Sequence, residues 1–110
     1  MKLEDYAKKA REFANHDLEP KMAIATWGLG LTGESGEVAD IIKKYIGHSH
    51  PLDRTSLIKE LGDVLWYIAA IADAVEVPFE VIAQQNLEKL RNRYEDKFST
   101  EKSINRRDQT

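Results

Sequence analysis

Four carboxylates occur as two pairs with the same internal spacing. Glu34 and Glu37 stand three residues apart, and Glu60 and Asp63 repeat that spacing after 22 intervening residues. Residues at i and i+3 share one face of an α-helix, so each pair can present both carboxylates together. Clustered carboxylates repel one another unless a cation compensates, and an oxygen-only ligand set suits a hard divalent ion. The pairs therefore predict a site for Mg²⁺, with Mn²⁺ as the alternative.

Other metal sites fit these residues less well. None of the four positions carries a histidine, and the sequence has no cysteine. Zinc is therefore disfavoured, as is a ferritin-like di-iron site, which uses Glu-x-x-His on two helices. If the helices that carry the pairs pack antiparallel, all four carboxylates can meet.

The glycine-rich stretch before the first pair invites a phosphate-loop interpretation. Gly28, Gly30 and Gly33 match G-x-G-x-x-G, but the second strand of a dinucleotide fold is missing after them. A P-loop would place Glu34 where its lysine belongs, with the wrong charge. We therefore predict a helix in which the glycines permit close approach. On it Glu34 lies within an apolar stripe; alternatively, the helix begins near Ser35 and Glu34 is solvated.

Helical periodicity predicts four helices, at 2–15, 21–46, 53–75 and 79–96, and no strand pair. The predicted fold class is all-α, with one domain at 1–98 and a polar tail at 99–110. Asp53 is a plausible N-cap of the third helix. Phe98 and Ile104 are the residues that could order part of the tail.

The third helix is apolar on two faces. Its main stripe is long: Leu57, Leu61, Val64, Leu65, Ile68, Ile71, Ala72 and Val75. Trp66 lies on the opposite face, beside Gly62, Ala69 and Ala70. This second face can meet either another subunit or the first helix, since the pattern alone does not separate them. We predict a homo-oligomer with the third helix at the interface.

The fourth helix supplies positive charge. Asn86 falls within its apolar stripe, and Lys89 and Arg93 follow at i+3 and i+7. An amide with two neighbouring cations can hold phosphate oxygens. The alternative is a solvated basic edge that pairs with Glu88 or Glu95.

Composition narrows the classes of function. The formal net charge is −3 with 32% charged residues, which is unlike a general nucleic-acid binder. The N-terminus has no apolar signal-peptide core, and no run approaches the roughly 18 apolar residues of a membrane-spanning helix. We expect a soluble, cytoplasmic protein without nucleic-acid or membrane partners.

The motifs together resemble a known family. "GESGEVAD", "KELGDVLWYIA" and "NLEKLRNRY" are similar to segments of the MazG-like nucleotide pyrophosphohydrolases, in an all-α superfamily with dCTP pyrophosphatases and dimeric dUTPases. The family pattern, E-x-x-E followed by E-x-x-D, corresponds to Glu34, Glu37, Glu60 and Asp63, and the likeness covers about residues 20–96. Gly33 departs from it, because many members carry a further Glu there.

The resemblance implies a four-helix MazG-like bundle that cleaves nucleoside triphosphates between the α and β phosphates. It implies that the four carboxylates coordinate Mg²⁺ and that one of them orients or deprotonates the attacking water. It further implies contacts from Tyr67 to the nucleotide and from Asn86, Lys89 and Arg93 to phosphate oxygens. Family members are commonly dimers or tetramers, which agrees with the predicted homo-oligomer.

Trp27 or Trp66 could also stack on the base, although each is more often a core or interface residue. Two alternatives to the enzyme stay open. One is a non-catalytic oligomeric module that binds a partner, and the other is a nucleotide sensor that has lost turnover.

Overall fold

The computed structural model describes residues 1–98, so the predicted tail at 99–110 lies outside the described residues, as do Ile104 and the side chain of Phe98. The described chain forms α1 (Leu3–Arg11), α2 (Pro20–Gly47), α3 (Arg54–Ala74) and α4 (Phe79–Phe98). No strand occurs within residues 1–98, which confirms the predicted all-α class. None of the helices in this range is long and apolar enough to span a membrane.

The first helix ends earlier than its periodicity predicts. Residues 12–19 form turns instead of continuing to residue 15, and the Asn15 side chain accepts a hydrogen bond from the backbone of Asp17 at 2.9 Å. Glu19 is extended because Pro20 follows it, and a residue before proline avoids the helical region. The Glu19 carboxylate then caps α2 by accepting from the Met22 backbone at 3.2 Å.

Helix α2 runs without a break through the glycine-rich stretch. The alternative in which the helix begins near Ser35 is therefore wrong. Each interior glycine costs a helix about 1 kcal/mol relative to alanine. The packing of α2 along α3 compensates for that cost, because tertiary contacts contribute most of the stability of helices in proteins.

A short reversal makes α2 and α3 an antiparallel hairpin. Ser49 adopts the left-handed region at φ 57°, and the backbone N–H groups of His48 and His50 both donate to Lys44 O, at 3.2 and 3.4 Å. Asp53 then caps α3, as predicted, by accepting from the Ser56 backbone at 3.0 Å and from its hydroxyl at 2.9 Å. These two hydrogen bonds lower the pKa of Asp53, the backbone bond most.

Helix α1 covers the second face of α3. Trp66 Nε1 donates to Ala10 O at 3.0 Å, and Ala10 and Ala69 are buried together in the core. Trp27 of α2 meets the Trp66 ring edge-on at 5.3 Å between centroids. Of the two coverings considered for this face, the first helix is the correct one. The Trp66 indole packs within the chain, and the predicted interface between copies at α3 stays a prediction.

Helix α4 departs from α3 through a tight helix end. Val77 N donates to Ala72 O at 2.9 Å and Glu76 N to Asp73 O at 3.0 Å, with Glu76 left-handed at φ 60°. This is the Schellman arrangement of a helix C-terminus. The α4 N-terminus is held by α1, since Glu4 Oε2 accepts from the Glu80 backbone at 2.9 Å. No Cα atom of α4 within the described chain comes within 8 Å of one in α2.

The main apolar stripe of α3 is only partly covered. Leu61 is 49% exposed and Leu65 38%, although the periodicity predicted this stripe as the core side. On α4, Leu87 and Leu90 are 56% and 46% exposed. The physical reason is the direction of α4, which leaves no second layer of helices over this side within residues 1–98. The buried apolar residues of the described chain are accordingly few: Ala10, Ala69, Ala72 and Phe79.

Candidate metal centre

Three of the four predicted carboxylates converge between α2 and α3. Glu34, Glu60 and Asp63 each offer one oxygen, and these oxygens all lie within 4.8 Å of one another. The antiparallel hairpin produces this cluster, because it sets the middle of α2 beside the first half of α3. Glu34 and Glu60 are partly buried and Asp63 is exposed, so the cluster opens to solvent on one side.

The cluster is electrostatically strained when it holds no cation. The pKa of Glu34 is raised to about 7, chiefly by a side-chain hydrogen bond with Glu60. Desolvation adds to this shift, followed by the negative charges of Glu60, Asp63 and Glu37. Among the described residues no cation offsets these effects on Glu34. Glu34 therefore keeps its proton up to near neutral pH, as a carboxylate placed close to others does.

An unsatisfied oxygen marks where a ligand fits. Glu60 Oε1 is buried and has no hydrogen-bond partner in the described part of the chain. A buried carboxylate oxygen without a partner is costly, and a divalent cation removes that cost directly. The oxygen-only donors and the spacing of the three carboxylates suit Mg²⁺ or Mn²⁺.

Glu37 lies beside this cluster and not among its three converging oxygens. It is exposed, and with Glu60 it lines the start of a groove of about 620 Å³. The groove continues past Asp40 and Lys44 of α2 to His50 in the loop before α3. Lys44 Nζ pairs with Asp40 Oδ2 at 3.2 Å.

Asp40, Lys44 and His50 were not among the predicted site residues. The i, i+4 spacing of the first two was a readable signal for their ion pair. The position of His50 had no comparable signal, because it depends on the backbone of the reversal.

The other side of the cluster is aromatic. Tyr67 lies one helical turn beyond Asp63 and crosses α2 at Gly30, which is one turn before Glu34. Trp27 follows at 6.3 Å from the Tyr67 ring, between centroids. A Cβ at Gly30 would overlap the Tyr67 ring, whereas one at Gly33 would meet nothing within 4 Å. Close approach thus explains Gly30 but none of the other glycines in α2.

We predict that Gly30→Ala displaces the Tyr67 ring and that Gly33→Ala does not. Both changes remove a glycine from a helix interior, which by itself stabilises the helix by up to about 1 kcal/mol. Gly33→Ala should therefore raise the melting temperature and leave the near-ultraviolet circular dichroism unchanged. Gly30→Ala should alter that spectrum, because Tyr67 contacts both tryptophans. Identical spectra for the two variants would contradict the role assigned to Gly30.

The predicted phosphate contacts of α4 are not brought to this cluster within one chain. Asn86 and Lys89 are exposed and Arg93 is partly buried. Their helix packs against α1 and α3 and stays more than 8 Å, between Cα atoms, from α2 throughout the described chain. The structure thus joins Glu34, Glu60 and Asp63, sets Glu37 and Tyr67 on either side of them, and holds the α4 residues apart.

Comparisons with known proteins point to one family. The sequence pattern of the MazG nucleotide pyrophosphohydrolase domain matches residues 23–98. The Gene 37 protein of Mycobacterium phage L5 is 39% identical over 69 residues, which cover 59% of this chain and 60% of the phage protein. The uncharacterized protein YvdC of Bacillus subtilis (strain 168) is 36% identical over 74 residues, covering 59% of this chain and 70% of YvdC. No solved structure matches the chain.

Proposed function

Because the chain belongs to the MazG nucleotide pyrophosphohydrolase domain family, we propose that it hydrolyses nucleoside triphosphates between the α and β phosphates. The products are a nucleoside monophosphate and pyrophosphate. The convergence of Glu34, Glu60 and Asp63 supports this proposal most directly, since phosphoryl transfer depends on positioned positive charge. The relatives it matches carry names that state no activity, and the chain spans 60% of the phage protein's length.

The three converging carboxylates fit a divalent cation, and we propose Mg²⁺ with Mn²⁺ as a substitute. Glu34, Glu60 and Asp63 would hold it through the oxygens that converge, and Glu37 lies close enough to influence the charge of Glu34. When bound, the ion supplies positive charge that neutralises phosphate oxygens and makes water a better nucleophile at neutral pH.

Glu37 is the carboxylate best placed to serve the attacking water. It is exposed and its oxygens lie outside the three-carboxylate cluster, so they are available to accept a proton. General-base catalysis requires such a group within hydrogen-bond reach of the water. Tyr67 closes the opposite side of the cluster, where it can contact the nucleoside.

Asn86, Lys89 and Arg93 do not reach the carboxylate cluster of their own chain, and we propose that a second copy of the chain supplies these phosphate contacts. Leu87 and Leu90 of α4 and Leu61 and Leu65 of α3 are apolar residues left partly uncovered in one chain. Exposed apolar surface of this kind is typical of an interface, and a two-fold axis would use each surface twice.

Such a contact also completes the site. Asn86 and Lys89 immediately precede the two α4 leucines, just as Glu60 precedes Leu61. If the leucines of one copy pack against those of the other, the neighbouring amide and cations, including Arg93, approach the carboxylates. We therefore propose that the protein assembles as a homodimer or a homotetramer.

We predict that the protein sediments as a dimer or larger and that Leu61→Asp dissociates it. An aspartate there would bury an unpaired charge at each of two equivalent positions. Thr55→Asp is the matched control, because Thr55 is exposed on the same helix near its N-terminus, where a negative charge is tolerated. A monomer at high micromolar concentration would overturn the assembly and leave the α4 contacts unexplained.

The direct test of the activity is a panel of canonical and modified nucleoside triphosphates. We expect pyrophosphate release that requires Mg²⁺ and stops when the ion is chelated. Orthophosphate as the primary product would contradict cleavage between the α and β phosphates. Tight nucleotide binding without turnover would instead favour the sensor, and no binding of either Mg²⁺ or nucleotide would favour the interaction module.

A further inference from the structure

We infer that the groove between the carboxylate cluster and the α2–α3 loop holds the pyrophosphate portion of the substrate, with Lys44 and His50 as binding residues. The inference rests on the proposed function and adds the direction in which the substrate lies. The nucleoside then lies towards Tyr67, and the β and γ phosphates lie towards the loop.

The position of Lys44 supports this direction. Lys44 follows Glu37 by seven residues, which is two helical turns or about 10 Å along the α2 axis. Its side chain runs back towards the N-terminus of α2, because Nζ contacts Asp40 Oδ2 at 3.2 Å. The ammonium therefore lies about one turn from Glu37. An ammonium group has three N–H donors, so those not used by Asp40 can bind phosphate oxygens.

The reversal after α2 directs His50 back onto the same groove. Ser49 takes the left-handed conformation, which for a residue other than glycine is uncommon and costs energy. The His50 backbone donates to Lys44 O at 3.4 Å, which ties the loop to the last turn of α2. His50 lines the groove, whereas His48, two residues earlier, does not.

On α2 and α3, the opposite direction offers no cation. Along α2, no lysine or arginine occurs between Lys21 and Lys43, and α3 has none after Lys59. That side of the cluster is instead occupied by Tyr67 and then Trp27. Aromatic rings suit a base or sugar, while a polyanion requires cations or N–H donors.

The acidic residues of the groove do not close it to a polyphosphate. Asp53 is engaged as the N-cap of α3 and Asp40 is paired with Lys44. Mg²⁺ is commonly bound by one or two carboxylates together with substrate phosphates, so the polyphosphate arrives with its charge partly neutralised. The groove volume of about 620 Å³ falls in the range of small-molecule sites.

The test compares two matched pairs of variants for binding of inorganic pyrophosphate in the presence of Mg²⁺, by isothermal titration calorimetry. Lys44→Gln should weaken binding about tenfold, which corresponds to the loss of one charge-assisted hydrogen bond. Lys43→Gln makes the same charge change one residue away, outside the groove lining, and should alter binding less than about twofold. Lys44→Arg should retain most of the affinity because it keeps the charge.

The histidines provide the second pair. His50→Gln should weaken binding about threefold and His48→Gln should not, because only His50 lines the groove. Equal effects of the two lysine substitutions, or no pyrophosphate binding by the unmodified protein, would overturn the inference. A protein that binds pyrophosphate through Lys44 but releases none from nucleoside triphosphates would overturn the proposed function and retain the groove as a pyrophosphate site.

Discussion

Asp63→Asn is expected to reduce pyrophosphate release at least about 100-fold, since changes even to groups that only support metal ligands cost 10- to 100-fold. The substitution keeps the size of the side chain and removes one charge from the three converging oxygens. The helical fold should persist, because Asp63 is exposed and asparagine has nearly the same volume. Steady-state rates with saturating Mg²⁺ and far-ultraviolet circular dichroism measure the two effects separately.

Although Asp63→Asn should lose activity, it should not lose stability when Mg²⁺ is absent. The charge of Asp63 contributes to the raised pKa of Glu34, so its removal lowers that pKa and relieves repulsion. Stability without Mg²⁺ should not fall at pH 8, although activity is lost. Asp17→Asn, in the turn before α2, is the matched control and should behave as the unmodified protein. Undiminished turnover in Asp63→Asn would remove this carboxylate from the proposed site.

Glu37→Gln should also lower turnover, but through a different step. Glu37 is outside the converging oxygens, so its loss should reduce the rate of hydrolysis more than the affinity for Mg²⁺. Asp63→Asn should weaken both. A metal titration of the two variants separates a ligand from a group that acts on water.

The helices could be predicted from local signals. Pro20 and Asp53 mark helix starts, and the apolar periodicity identified α3 to within one residue at each end. Local signals could not predict which helix packs against each face of α3. Periodicity shows that Leu61 and Trp66 lie on different faces, but it carries no information about which face α1 covers.

The candidate site was predictable where it depends on helix geometry alone. The i, i+3 spacing and an antiparallel hairpin are enough to bring Glu34, Glu60 and Asp63 together. His50 could not be assigned, because its direction depends on the left-handed backbone of Ser49. The role of Gly30 could not be predicted from the sequence either. Gly30 differs from the other glycines of α2 only because the Tyr67 ring packs directly against it.

The affinity for Mg²⁺ should depend steeply on pH below neutrality. The pKa of Glu34 is raised to about 7 by its hydrogen bond with Glu60, by desolvation and by nearby carboxylate charge. An ion that binds the ionised carboxylates must displace the proton that Glu34 holds. The apparent affinity should fall up to about tenfold for each pH unit below 7 and become constant above it. Calorimetric titration of Mg²⁺ between pH 5.5 and pH 8 measures this dependence.

The stability of the metal-free protein should change over the same range. The unfolded chain releases the Glu34 proton near 4.5 and the folded chain near 7, so the folded state binds more protons between these values. Stability therefore decreases as pH rises through this window and levels off above pH 7. Added Mg²⁺ should raise the melting temperature more at pH 8 than at pH 5.5, because it replaces the proton as the group that offsets the repulsion.

Glu34→Gln isolates the contribution of this carboxylate. The three histidines are present in both proteins, so their titration cancels in the comparison. The variant should lose the decline in metal-free stability between pH 4.5 and pH 7, because an amide neither binds nor releases the proton. Glu60→Gln should reduce the decline as well, since the hydrogen bond between the two carboxyl groups is the main cause of the raised pKa. If both variants keep the pH dependence of the unmodified protein, Glu34 does not hold the proton in question, and the converging oxygens are not the group for which Mg²⁺ and protons compete.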